Sequence, residues 1–165
     1  MTKGKKVKAP DISGTEETLL NNSSVDALQK SVISYEERLT FVNEIAQPMA
    51  SRKLTKKIYK LIKKASKNRE YCKTGLKLVQ SAIRKGATGL VILAGDVSPV
   101  DVMIHLPAVC EDKEIPYCYV PSKDDIGTAM GVTRGVITVL ILDNPEIQEL
   151  YAEILDEVKA LPIPM

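Results

Sequence analysis

The sequence predicts an α/β fold: a single-domain three-layer α/β/α sandwich around a mixed, mostly four-stranded sheet. Three observations carry that expectation. Leu90, Val91, Ile92, Leu93 and Ala94 are five consecutive apolar residues between Gly89 and Gly95, the pattern of a strand covered on both faces. Tyr117, Cys118, Tyr119 and Val120 repeat the idea after the Ile115-Pro116 stop, and the roughly twenty residues between the runs suffice for a helical crossover. The two strands are therefore expected to be parallel, with a right-handed connection. Elsewhere strands and helices alternate in a short chain, and one sheet between helices is the arrangement that buries them.

Residues 1–34 mix Lys, Ser, Asn, Thr and Gly with few large apolar side chains. They bury too little surface to offset chain entropy and are expected to form a disordered tail ahead of a domain over residues 35–165. Lys3, Lys5, Lys6 and Lys8 give that tail a basic start suited to targeting or to touching RNA. From Tyr35 to Pro48, the apolar residues Leu39, Phe41, Val42, Ile45 and Ala46 predict a segment packed against the domain and ended by the proline. Ser51 is placed to cap a helix reaching about Asn68, with Leu54, Ile58, Leu61, Ile62 and Ala65 on one face. Lys56, Lys60, Lys63, Lys64 and Lys67 lie mostly outside that stripe.

A short strand over residues 70–73 leads through Thr74-Gly75 into a second helix, which ends near Lys85 at Gly86. Leu76, Val79, Ala82 and Ile83 make its buried arc and Lys77, Ser81, Arg84 and Lys85 its exposed one. Leu78 breaks the pattern: at about 100° per residue it falls on the polar face. After the buried strand, Ser98 reads as N-cap and Pro99 as first residue of a third helix, with Asp101 in its first turn. Ser122 with Asp125 three residues on reads as another helix start. Residues 136–142 are rich in β-branched and aliphatic side chains and predict a strand, and Asn144-Pro145 starts a last helix through Lys159.

At 165 residues and 44% hydrophobic, the chain can fill one core of ordinary size, and two domains would be cramped. Its three cysteines, Cys72, Cys110 and Cys118, include no CxxC pair, and the single histidine, His105, stands five residues from Cys110. That argues against a zinc site and for reduced thiols. No apolar run approaches the roughly eighteen residues of a membrane span, and no apolar core follows the lysine-rich start, so a soluble intracellular protein is expected. Residues 51–86 carry thirteen Lys or Arg against Glu70 alone, whereas residues 143–165 carry six acids against Lys159. The asymmetry suits a polyanion on one surface; a solvated lysine-rich helix face would give the same count.

Enzymatic constellations are thin. Asp96 follows a parallel strand, where α/β enzymes place catalytic groups, but the turn has no glycine-rich phosphate loop and no partner base. A turn residue whose carboxylate satisfies nearby backbone amides is the expected role. His105, between Ile104 and Leu106, has no Ser, Cys or acid placed as a partner and is expected to pack at a helix end.

Leu93-Ala94-Gly95-Asp96, Pro99, His105-Leu106-Pro107, Cys110-Glu111-Asp112, Pro116-Tyr117, Pro121-Ser122-Lys123 and Gly131-Val132-Thr133-Arg134 stand in an order and spacing that resemble the family of kink-turn RNA-binding proteins. That family includes large-subunit ribosomal proteins and core proteins of small nucleolar ribonucleoproteins. Ala94-Gly95-Asp96, the run from Glu153 to Val158, and Leu161-Pro162-Ile163-Pro164-Met165 resemble its H/ACA branch; the likeness covers residues 51–165. The resemblance implies the same sandwich and binding of structured RNA, with no catalytic residue, metal or cofactor. It further implies H/ACA guide RNA as ligand, and a separate pseudouridine synthase subunit that performs the uridine chemistry. A small nucleolar protein bridging to that synthase, residence in the nucleus and nucleolus, and a monomer outside the particle complete what it implies.

In the family, the start of the second helix presents a Gly, an Asn-Glu pair and a Lys to sheared G·A pairs. The matching positions here are Gly75, Lys77-Leu78 and Ser81, and only the glycine is retained. Glycine there lets a phosphate or base edge approach the helix amides. Lys77 can pair with phosphate, Leu78 cannot accept hydrogen bonds from guanine, and Ser81 carries no charge, so the departure keeps backbone binding and removes base reading. Val102 and Val132 match positions that pack on an extruded base, Lys123 one that meets the phosphate backbone, and Arg134 and Ile137 follow near that base. Gly135 replaces the usual proline, which implies a looser loop. Ordinary core packing is the other reading of Val102, Val132 and Ile137.

Two rivals share the fold. A box C/D or spliceosomal kink-turn protein depends on the Asn-Glu-Lys set missing here. A protein-binding adaptor is opposed by the thirteen basic residues of 51–86.

Overall fold

The computed structural model describes residues 34–162; the tail and its basic start, and residues 163–165, lie outside the described residues. Helix α1 (Tyr35–Leu39) and α2 (Arg52–Ala65) precede strand β1 (Cys72–Thr74), helix α3 (Leu76–Arg84) and strand β2 (Gly89–Ala94). A 3-10 turn (Val100–Val102), helix α4 (His105–Asp112), strand β3 (Tyr117–Val120), helix α5 (Lys123–Met130), strand β4 (Thr138–Leu142) and helix α6 (Gln148–Lys159) follow.

The sheet has the order β1-β4-β2-β3. As the apolar runs predict, β2 and β3 are parallel, from Val91↔Tyr117 to Ala94↔Val120, and β4 runs antiparallel to both β2 and β1. Every residue of β2 and β3 is buried, so the alternating side chains find cover on both faces. Helix α2 packs against α5 and α6, while Gln80 of α3 meets His105 of α4.

Helix α2 forms where the pattern places it. The Ser51 hydroxyl accepts the Leu54 amide at 3.3 Å, and Leu54, Ile58, Leu61, Ile62 and Ala65 are all buried. The regular helix stops at Ala65, earlier than Asn68, because the Lys67 and Asn68 amides donate three residues back, to Lys64 and Ala65, and tighten the last turn. Strand β1 lies about two residues later than expected, its register set by Cys72↔Ile141 of β4.

The third helix is the main correction. Ser98 and Pro99 lead only into the 3-10 turn, and α4 begins at His105. Pro107 supplies the reason: it has no amide to donate to Met103 and its ring would crowd that carbonyl, so it is tolerated only in the first turn of a helix. A helix beginning at Pro99 would have carried it in the interior. Helix α6 likewise starts at Gln148, after a turn in which the Glu146 amide donates to the buried Asn144 side chain at 2.9 Å. Ser122 caps α5 by accepting the Asp124 amide, but Asp125 does not complete a capping box. Its carboxylate pairs with Arg38 and accepts the Tyr59 hydroxyl at 3.3 Å.

The segment before α2 is packed more sparingly than its composition suggests. Ala46 is buried and Val42 lies against the core, but Leu39, Phe41 and Ile45 are exposed, Phe41 by 75%. Polar contacts replace them. The Asn43 amide donates to Gly95 at 2.8 Å and its side chain to the Val97 carbonyl at 2.7 Å.

The three cysteines are free and buried, and burial pushes their thiols up, Cys72 to about 11 and Cys110 and Cys118 to about 12. The thiolate is the reactive form, so at pH 8 about one molecule in a thousand or fewer is ionised at each site. Titration with an aromatic disulfide at pH 8 is expected to show no fast thiol in the native protein and three in denaturant.

Candidate nucleic-acid interface

Strands β1, β2 and β3 end at the same end of the sheet, where β4 begins. The loops there carry every residue singled out above: Gly75 with Lys77, Leu78 and Ser81 at the start of α3, Val102 in the 3-10 turn, Lys123 at the start of α5, and Val132, Arg134 and Ile137 ahead of β4. In open α/β sheets, ligands lie outside the carboxyl ends of the strands.

Hydrogen bonds tie these loops together. The Gly75 amide donates to Thr138 at 3.0 Å, the Ala94 amide to Ile137 at 2.9 Å and the Gly95 amide to Val120 at 2.8 Å. Asp96 is the central tie: its carboxylate accepts the Lys123 amide at 2.8 Å, at the first residue of α5, where the helix dipole favours negative charge. This is the backbone-satisfying role expected of it. The Lys123 ammonium rests on the Asp96 carbonyl at 3.3 Å.

Gly75 has φ 87° and ψ 148°, a backbone region that side chains disfavour. A Cβ built on it would meet nothing within 4 Å, so conformation, not crowding, demands glycine, and the space in front of it is open. No side chain caps α3, which leaves the amides of its first turn for an anion. Lys77, Leu78 and Ser81 are exposed, Leu78 by 60%, while Val79 and Ile83 are buried on the opposite side. The apolar side chain thus sits on the solvent face, as its angular position predicts.

Val132 and Arg134 are exposed, and Val102 and Ile137 are half-buried. The core reading holds in part for Ile137, which packs on the core, but Val102 and Val132 do not belong to it. Gly127 is the residue that sequence reasoning missed. It is buried in α5, its carbonyl accepts the Val132 amide at 2.9 Å, and a Cβ there would come within 2.2 Å of the Arg134 carbonyl oxygen. An isolated glycine inside a helical pattern was the available signal.

One of the cations of the basic stretch is already paired. On α2, Lys57 pairs with Glu153, at 2.6 Å, and with Glu157, both on α6, and those hydrogen bonds hold its ammonium above the usual lysine value. The basic and acidic helices are therefore neighbours, whereas the sequence suggested charge drawn apart. His105 contacts Gln80 through its Nε2, the packed role expected. Burial pushes the Tyr59 phenol up, which keeps it a donor to Asp125. Among the described residues no group of three or more His, Cys, Asp or Glu could hold a metal ion, and no helix is long and apolar enough to cross a membrane.

Loops gathered at the carboxyl ends of three parallel strands around an uncapped helix start make this an α/β domain with a candidate ligand surface at that end. Residues 56–151 match the Ribosomal protein L7Ae/L30e/S12e/Gadd45 family, and the chain belongs to it. The chain is 51% identical over 160 residues to the H/ACA ribonucleoprotein complex subunit 2 of Drosophila melanogaster, covering 97% of this chain and 99% of that protein. It is 49% identical over 132 residues to the protein of that name from Bos taurus, covering 80% and 86%. Among solved structures, the Giardia lamblia 15.5kD RNA binding protein superposes with a TM-score of 0.69 at 30% identity, covering 73% of this chain and all of that one.

Gly127→Ala is expected to destabilise the protein by about 1–3 kcal/mol in urea unfolding, because backbone rather than a flexible side chain must give way. Ser81→Ala, on the exposed face, is expected to stay within about 0.5 kcal/mol.

Proposed function

We propose that this chain is an RNA-binding core subunit of H/ACA small nucleolar ribonucleoproteins, supporting pseudouridylation of ribosomal and spliceosomal RNA and ribosome biogenesis without catalysing it. The observation that carries this reading is the 51% identity to a protein named as an H/ACA ribonucleoprotein complex subunit over nearly the whole of both chains. The uridine chemistry belongs to a separate synthase subunit, reached through a small nucleolar bridging protein, and the particle resides in the nucleus and nucleolus. Asp96 and His105, the residues an enzyme would use, are occupied in structural contacts, which supports a non-catalytic role.

Binding follows from the loop end of the sheet. The first-turn amides of α3, Lys77, Lys123 and Arg134 meet phosphates, which position the RNA. Val102, Val132 and Ile137 give an extruded base an apolar surface. Leu78 and Ser81 contribute no base reading, so affinity rests on charge. Crosslinking in cells followed by sequencing of the bound RNA tests the reading: H/ACA guides support it, whereas box C/D guides or an absence of RNA replace it with one of the two rivals.

Phosphate-dominated binding is expected to fall steeply with salt, log K sloping at about −0.7 to −0.9 per neutralised phosphate. Arg134→Ala is expected to make that slope shallower by about one contact while leaving Tm unchanged, since its side chain is exposed. Fluorescence anisotropy across a salt series, with thermal unfolding of the same variant, checks both.

Restoring the missing groups is expected to restore selectivity. Leu78→Glu with Ser81→Lys supplies an acceptor for guanine and a cation for the backbone, and a good base contact is worth about 1–3 kcal/mol of discrimination. The double variant is expected to prefer a kink-turn over a mutated loop by about tenfold or more, and the parent to discriminate poorly. Strong discrimination by the parent would place specificity in the loop from Val132 to Ile137.

A further inference from the structure

At the other end of the sheet, where β3 begins and α6 ends, lies a groove of about 470 Å³, a size ordinary for a ligand site. Pro48, Ile115, Pro116, Tyr117, Val158 and Leu161 form its apolar walls. Glu111 and Glu114 also line it, and Lys159 is the only cation among its described lining residues.

The groove coincides with an unfinished sheet edge. Strand β3 is an edge strand, covered in part by residues 48–50: the Tyr119 amide donates to Pro48 at 2.9 Å and the Ala50 amide to Tyr119 at 2.9 Å. The pairing is parallel, Met49↔Tyr119. On the other side of β3, the carbonyls of Pro116 and Val120 accept from Val91 and Gly95, so the strand's alternation turns Tyr117 to the same edge as Tyr119. The donor that would continue the pairing to the Tyr117 carbonyl is the amide of Pro48, and proline has none. The covering segment therefore stops one pair short, at the groove.

Glu114 is the second observation. It follows the C-cap of α4 with φ 54°, in the left-handed region that helices usually give to glycine or asparagine at this position. Glu114 lines the groove and holds that conformation at a cost. Glu111, which also lines the groove, is oriented by accepting the Tyr117 hydroxyl at 2.7 Å.

We propose that this groove binds an extended segment of a partner protein, which adds to the edge at Tyr117 that no described residue pairs, fills the groove with an aliphatic side chain and sets a Lys or Arg against Glu111 and Glu114. Strand addition at an open edge gives affinity through main-chain bonds, while pockets for alternate side chains give selectivity. The groove and the loops that carry Lys77 and Arg134 lie at opposite ends of the strands, so the protein can hold this segment and a ligand there together. The inference does not depend on that ligand being RNA.

The test pans a phage-displayed library of linear seven-residue peptides against the full-length chain and measures enriched peptides by fluorescence anisotropy. Peptides pairing aliphatic with basic residues are expected, with the largest amide shifts at Tyr117 and Glu114 in the ¹⁵N-labelled protein. Glu114→Gly is expected to weaken them threefold or more while Tm holds or rises, which a merely structural glutamate would not do. Leu161→Arg, filling the groove, is expected to weaken them tenfold or more. Failure to enrich such peptides, shifts confined to α3 and residues 131–135, or equal binding by both variants would overturn the proposal. So would a tenfold gain in affinity on deleting residues 163–165, which would make the chain's own end the occupant, or peptide-sensitive dimerisation, which would make it a second copy.

Discussion

The hydrogen bond from the Lys123 amide to the Asp96 carboxylate joins the turn after β2 to the first residue of α5, and the geometry of the loop end of the sheet descends from it. With the start of α5 held, the Lys123 carbonyl accepts the Val136 amide at 3.0 Å and brings the chain into β4. Gly127, one turn along α5, then seats the intervening loop from within. The bond joins a carboxylate to the positive end of a helix, in a half-buried place where such contacts are stronger than in water. The place after a parallel strand is one where enzymes set catalytic groups, but the turn predicts the structural role that this carboxylate has in the fold.

Electrostatics are distributed more economically than the charge count suggests. Lys57 is held by Glu153 and Glu157, so the acidic last helix neutralises part of the basic first layer instead of standing apart from it. The loop end adds Lys77, Lys123 and Arg134 to the uncapped amides of α3. Such groups position a phosphate backbone without reading sequence, and the apolar Leu78 where a base-reading group would stand agrees with that division.

The same sheet has two unlike ends. One is closed by hydrogen bonds among four loops and fronted by cations. The other is apolar, acidic at its rim, and bounded by an edge that a proline leaves incomplete. Because β3 runs between them, occupation of one end need not obstruct the other.

The central strands were legible because a strand covered on both faces must be apolar throughout, and only continuous runs such as residues 90–94 satisfy that. Helix α2 was legible through Ser51 and its apolar stripe, the exposed Leu78 through its angular position, and the role of Asp96 through its place in a turn. Pro107 also held the information that starts α4 at His105, although Ser98-Pro99 is the stronger local signal. Other features depended on residues far apart in the chain: Arg38 taking Asp125 from its cap, Lys57 reaching α6, and Asn43 anchoring a segment that leaves Phe41 exposed. Period and capping are local properties, so the sequence alone determined the elements and the faces they bury. Which carboxylate meets which cation, where Gly127 must lack a side chain, and that the loops carrying the candidate site residues share one end of the sheet were decided only by tertiary structure, because strand order and helix packing bring together groups that no sequence spacing connects.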